Sequence, residues 1–167
     1  MRRKSNVRVL FVCLGNICRS PLAEGLFQKK VNERGFNDVI EIDSAGTGAW
    51  HVGESPDRRM RETARKHGLS LDHLRGRQAH PVDLEDFDLI LAMDSTNLDT
   101  LKTWDSDRVA DRKIRLFREF DPIPDRLDVP DPYYRGAGGF DEVYEIVKRT
   151  ADSLLDWIIE EYQLAES

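Results

Sequence analysis

The sequence predicts a single α/β domain: a four-stranded parallel sheet with helices on both faces. Short apolar, β-branched runs at Val7 to Val12, Val39 to Ile42, Phe87 to Met93 and Lys113 to Phe117 alternate with longer segments of helical periodicity. Strand, long helix, strand over the first forty residues is the pattern of a right-handed parallel crossover. At 167 residues the chain is long enough to cover one sheet on both sides, and residues 1–167 need no second domain.

Each element has its own signals. Met1-Arg2-Arg3-Lys4 reads as a solvated basic tail, because the apolar run after it, Val7 to Cys13, is too short for the core of a secretion signal. Val7 to Val12 is a buried strand, followed by a loop from Cys13 to Arg19. In that loop Gly15 and Asn16 tolerate positive φ, Ser20 is able to cap a helix, and Pro21 suits a first helical turn. Leu22, Ala23, Leu26, Phe27 and Val31 make Ser20 to Arg34 an amphipathic helix closed by Gly35. Val39 to Ile42 is the second strand, leading into the loop Asp43-Ser44-Ala45-Gly46-Thr47-Gly48. The carboxyl ends of both strands, near Cys13 and Ser44, then share one edge of the sheet, where ligands bind in such folds.

Pro56-Asp57 opens a helix that runs to His67 and stops at Gly68, with Arg58, Arg59, Arg61, Arg65 and Lys66 on a solvated face. Leu71 to Gln78 reads as irregular. After the third strand, Asp94-Ser95-Thr96-Asn97 supplies capping chemistry for a helix through Leu101 and Trp104. The fourth strand is followed by a proline-rich stretch, Asp121 to Tyr134. Gly136-Ala137-Gly138-Gly139 reads as a hinge, and Phe140 to Tyr162 as a long amphipathic helix whose acidic end, through Ser167, frays.

Composition excludes several functions. A formal net charge of -6 argues against nucleic acid or an anionic membrane as a partner, and no stretch approaches a membrane span, which predicts a cytoplasmic protein. The two cysteines, Cys13 and Cys18, are too few for a disulfide scaffold, wrongly spaced for a Cys-x-x-Cys redox motif, and, with no histidine near them in sequence, poor material for a zinc site. No metal or cofactor is expected.

The chemistry concentrates at the loop after the first strand. A tight loop running into a helix N-terminus turns backbone N–H groups inward and adds the positive end of the helix dipole, so it is a cradle for an oxyanion. No Gly-Lys-Ser/Thr follows, which separates it from a nucleotide-binding loop. Instead Cys13 stands at the strand tip and Arg19 six residues on. The helix end favours the thiolate, the nucleophilic form of cysteine, and a guanidinium grips two phosphoryl oxygens. This constellation suits in-line phosphoryl transfer through a phosphocysteine. Transfer from an aryl phosphate also needs a proton for a leaving phenolate, whose conjugate acid has a pKa of about 10. Asp131, held between Pro130 and Pro132 in a stiff loop, is the candidate donor.

Val12-Cys13-Leu14-Gly15-Asn16-Ile17-Cys18-Arg19-Ser20-Pro21 resembles the signature of the low-molecular-weight protein tyrosine phosphatases, and Asp131-Pro132-Tyr133-Tyr134 resembles that family's acid loop. The resemblance extends over nearly the whole chain. It implies sheet order 2-1-3-4, Cys13 as nucleophile, Arg19 as phosphate clamp and Asp131 as general acid and base. It further implies a phosphate cradle of Leu14, Gly15, Asn16, Ile17, Cys18 and Ser20, and a cleft walled by Trp50, Tyr133 and Tyr134. Ser44 would hydrogen-bond Asn16. His73 either buttresses Asn16 or is exposed, since one extra residue separates it from Arg77-Gln78 compared with the family pattern. Cys18 would protect Cys13 through a reversible disulfide, so that peroxide inactivation is rescued by thiols in the wild type and not in Cys18→Ala. The implied partners are a phosphotyrosine-bearing protein and a cognate tyrosine kinase, with the chain a monomer.

Two other activities accompany this fold. Thioredoxin-linked arsenate reductases of similar fold need two further cysteines, which this chain lacks. Arginine phosphatases carry a small threonine where this chain has Ile17, and the bulkier Ile17 with Tyr133-Tyr134 favours tyrosine. A phosphate-binding module without catalysis would lack Cys13 or Asp131, and both are present.

Overall fold

The computed structural model describes residues 6–134 and 138–165, with Tyr134 described by its backbone alone. The basic tail, Gly136 and Ala137 of the expected hinge, and Ser167 lie outside these residues. In chain order the elements are β1 (Val7–Cys13), α1 (Arg19–Glu33), β2 (Ile40–Gly46), α2 (Arg58–Lys66), α3 (Asp83–Asp86), β3 (Leu89–Ala92), α4 (Ser95–Thr103), β4 (Ile114–Leu116) and α5 (Gly138–Glu161). The strands form one parallel sheet in the order β2-β1-β3-β4.

Alternation along β1 explains how both faces are covered. Val7, Val9, Phe11 and Cys13 point into a large core with Leu22, Phe27, Leu154 and Leu155 of α1 and α5, while Leu10 and Val12 point the other way, against Leu84, Phe87, Ile90 and Leu101. A strand buried on both faces must read as a continuous apolar run, which is why β1 was legible. Phe11 anchors the larger core, with Phe27 and Phe117 edge-on to it at centroid distances of 5.6 and 5.5 Å.

Several boundaries differ from expectation, and each shift bears on the site. β2 does not end at Ile42: pairing continues through Phe11↔Ser44 to Cys13↔Gly46, so Ser44 is a strand residue beside the Cys13 loop and not part of a turn. Gly46 sits at a close approach. A Cβ there would lie 2.8 Å from the Leu14 carbonyl oxygen and 3.1 Å from the Asn16 nitrogen, which only glycine permits. α1 begins at Arg19, with Cys18 in the capping position and no side-chain cap; Ser20 lies inside the first turn, where its hydroxyl has another use. Gly138 and Gly139 are the first residues of α5 and not a hinge, because the helix gains enough packing from Phe140 onward to offset the entropy cost of two glycines. Asp57 and Asp94 cap α2 and α4 as their positions predict, accepting from the Arg59 and Asn97 backbone nitrogens at 2.8 Å each.

Candidate active site

The loop between β1 and α1 is held by one side chain, Asn16. Its backbone takes φ 57°, and its amide is committed at both ends: Nδ2 donates to Ser20 Oγ at 2.8 Å and to Ser44 Oγ at 3.0 Å, while Oδ1 accepts from the Arg77 backbone N–H at 3.0 Å. Ser44 Oγ lies 2.6 Å from Glu24 Oε1. The Ser44 hydroxyl donates to this carboxyl oxygen. Ser20 Oγ, which accepts from Asn16, shares a hydrogen bond with Cys13 Sγ at 2.9 Å, and donates in it when the sulfur is a thiolate. The Asn16 backbone N–H reaches the same sulfur at 3.3 Å. Both contacts converge on the Cys13 sulfur. The β2 end is stitched to this loop by Thr47 N–H to Cys13 O and Gly48 N–H to Leu14 O, both 2.9 Å.

Arg19 is almost wholly buried, at 3 % exposure. Its Nη1 donates to Asp94 Oδ2 at 2.7 Å and to the Val129 carbonyl at 3.0 Å, and Nη2 lies 3.5 Å from Asp131 Oδ2. Burial works against its charge, but the neighbouring Cys13, Asp94 and Asp131 outweigh that and raise its pKa. Asp131 in turn accepts from the Tyr133 backbone N–H at 3.0 Å.

These groups line one cavity of about 390 Å³, of a size for a small-molecule or single side-chain ligand. Cys13, Leu14, Gly15, Ile17, Cys18 and Arg19 contribute from the loop, and Trp50, His51, Asp131 and Tyr133 from the surrounding segments. Trp50 is 70 % exposed, too open for a core aromatic and placed as a cleft wall. Tyr133 is steadied by Arg59, whose guanidinium lies 5.3 Å from its ring centroid and donates to its carbonyl at 3.4 Å. Whether Tyr134 joins the wall falls outside what is described of its side chain. Among the described residues no cluster of His, Cys, Asp and Glu is arranged to hold a metal ion, and no helix is long and apolar enough to cross a membrane.

Comparison with known proteins agrees with this geometry. The sequence profile described as "Low molecular weight phosphotyrosine protein phosphatase" matches residues 8–164. The low molecular weight protein-tyrosine-phosphatase YfkJ of Bacillus subtilis is 42% identical over 158 residues, covering 95% of this chain and 99% of that one. This chain belongs to the low molecular weight phosphotyrosine protein phosphatase family. The crystal structure of YfkJ superposes with a TM-score of 0.89 at 41% identity, over 96% of this chain and 99% of that one. The crystal structure of DARP, a Drosophila arginine phosphatase, gives a TM-score of 0.80 at 33% identity, over 89% and 96%. The protein is thus an enzyme of the low-molecular-weight protein-tyrosine-phosphatase class, a hydrolase.

Within this family member the structure brings Cys13, Asn16, Arg19, Ser20, Ser44 and Asp131 together as expected, and it leaves His73 out. His73 is exposed, and the Asn16 carbonyl is held by the Arg77 backbone instead. Arg77 is itself fixed by Asp43 at 2.9 Å and Asp83 at 3.1 Å. Four further residues were not singled out from sequence. Arg59 is expected on a solvated face and Asp94 as capping chemistry for a helix, while His51 and Glu24 carry no expected site role. Asp94 does both jobs, one oxygen capping α4 and the other on Arg19.

Burial pushes the Glu24 carboxyl up to about 7, with Asp43 adding to the effect against the opposing Ser44 hydrogen bond. The folded protein therefore holds this proton more tightly than the unfolded chain does. Glu24's contribution to stability is full below about pH 4.5, its ordinary value, and is lost as pH rises through about 7. Glu24→Gln keeps an oxygen for Ser44 and removes the titration. Urea unfolding between these pH values should show the wild type losing stability relative to Glu24→Gln as pH rises; parallel profiles would contradict this role.

Proposed function

We propose that this phosphatase hydrolyses phosphotyrosine, and aryl phosphates generally, in two steps through a phosphocysteine. The observation that carries the reading is that Cys13, Arg19 and Asp131 line one cavity with Trp50 and Tyr133. Cys13 attacks the phosphorus in line while Asp131 gives a proton to the leaving phenolate oxygen; Asp131 then takes a proton from water, which displaces the sulfur. Arg19 and the loop N–H groups hold the equatorial oxygens throughout. The Ser20 hydroxyl, aimed at Cys13 by Asn16, stabilises the sulfur as a leaving group in the second step. The cleft admits a planar aryl ring and leaves the shorter phosphoserine out of reach of the loop.

Cys18 completes this reading. Its thiol is pushed up by burial and by Asp57, so Cys18 stays protonated beside Cys13 until oxidation of Cys13 supplies an electrophile for it. We place the protein in the cytoplasm as a monomer, with phosphotyrosine proteins and a cognate kinase as partners.

Arginine phosphatase activity is the second reading, favoured by the likeness to the Drosophila arginine phosphatase structure. Ile17, which lines the cavity, opposes it. The deciding experiment measures kcat/KM for a phosphotyrosine peptide, a phosphoarginine peptide and para-nitrophenyl phosphate. Turnover of the first and third with little of the second supports the tyrosine reading. Turnover of phosphoarginine alone overturns it.

A further inference from the structure

Arg118 is fully buried at 1 % exposure, and the phosphatase chemistry above does not use it. It follows β4 in a 3₁₀ turn, Phe117–Phe120, and its guanidinium reaches both ends of the segment that leads to Asp131. Nε donates to Asp121 Oδ2 at 2.9 Å, Nη2 to Asp125 Oδ1 at 2.5 Å, and Nη1 to the Asp128 carbonyl at 2.9 Å. Residues 122–127 between these anchors are exposed and lack regular secondary structure.

The anchors are themselves fixed. Asp121 also accepts from Arg149 of α5, through Nε at 2.9 Å and Nη2 at 3.0 Å. Burial opposes the Asp121 charge, yet the hydrogen bonds from Arg149 and Arg118 prevail and hold the carboxyl down at about 2. Beyond Asp128, the Val129 N–H donates to Met93 O at 2.7 Å and the Val129 carbonyl accepts from Arg19 at 3.0 Å. Pro130 and Asp131 follow at once. A buried, charged fork with three acceptors is expensive unless all are satisfied, and here satisfying them fixes where the acid loop begins.

We propose that Arg118 is a positioning residue for Asp131: by bonding Asp121 and the Asp128 carbonyl together it sets the reach of the acid loop over the Cys13 cavity. This rests on reading Asp131 as the general acid. A lysine at 118 keeps the charge beside Asp121, but a single ammonium cannot replace a planar fork spanning three partners. A small misplacement of a reacting group costs rate steeply, and here the cost falls on the step that needs the proton.

The test is Arg118→Lys, alone and combined with Asp131→Ala, assayed on a phosphotyrosine peptide and on para-nitrophenyl phosphate, whose leaving group needs little proton donation. The expected result is a loss in kcat/KM, which reports the leaving-group step, of roughly 10-fold or more on the peptide and of less than about 3-fold on the nitrophenyl ester, with no further loss once Asp131 is removed. Equal losses on both substrates, or a loss that persists in the Asp131→Ala background, would assign Arg118 to general stability and overturn the proposal. Should Arg118→Lys fail to fold, Arg118→Met with Asp121→Asn removes both buried charges together and is judged by the same ratio. If Asp131→Ala itself treats the two substrates alike, the general-acid reading falls and this proposal with it. A selective Asp131→Ala beside a non-selective Arg118→Lys overturns this proposal alone.

Discussion

Cys13→Ser is expected to reduce turnover of every phosphate ester by at least ~1,000-fold, because removing an activated nucleophile abolishes the covalent route. That corresponds to about 4 kcal/mol of lost transition-state stabilisation. The rest of the cradle is untouched: Arg19 keeps its contacts to Asp94 and Val129, and Asn16 still holds the loop through Ser20, Ser44 and Arg77. Inorganic phosphate should therefore inhibit the wild type and bind Cys13→Ser with comparable affinity, measured by calorimetry. Loss of phosphate binding together with turnover would mean that the sulfur organises the loop and would weaken its assignment as nucleophile. Residual turnover above about one per cent of wild type would exclude a phosphocysteine route.

The sheet and the nucleophile loop were legible because their signals are local. A doubly buried strand must be apolar throughout, and a strand, loop and helix carrying Cys13 and Arg19 admits few readings. The supporting shell was legible only where it repeated a known pattern. Ser44 was found through its family position, while its true setting in β2 came from pairing that continues past the apolar run to Gly46; Asp43, Ser44 and Gly46 have weak strand propensity, and the neighbouring strand decides. His73 takes the second of its two expected settings, exposed. The donor to Asn16 Oδ1 is the Arg77 backbone N–H, which no side-chain pattern encodes. Asp94, Glu24 and Arg118 are charged residues whose roles depend on partners 75, 20 and 10 positions away. Periodicity assigns such residues to caps and surfaces, and only tertiary geometry shows them turned inward.

Asp131→Ala carries the second large effect, and its diagnostic content lies in the choice of substrate. General acid catalysis is worth about 100- to 10,000-fold, but only where the leaving group demands a proton. The phenolate of tyrosine, with a conjugate-acid pKa of about 10, is a poor leaving group at neutral pH; nitrophenolate is a stable anion. On a phosphotyrosine peptide Asp131→Ala should lose ~100-fold or more in kcat/KM, which reports the leaving-group step and not the later hydrolysis common to both substrates, and clearly less on para-nitrophenyl phosphate, so the ratio of the two values separates loss of a proton from loss of binding. Asp131 also sits 3.5 Å from the Arg19 Nη2, which raises a competing explanation, that alanine frees the guanidinium to move. That explanation predicts a comparable fall in kcat/KM on both substrates, since the clamp on the phosphoryl oxygens is common to them. Asp94, 2.7 Å from Nη1, and the Val129 carbonyl remain to hold Arg19 in place, so the expected outcome is the split in kcat/KM between the two substrates.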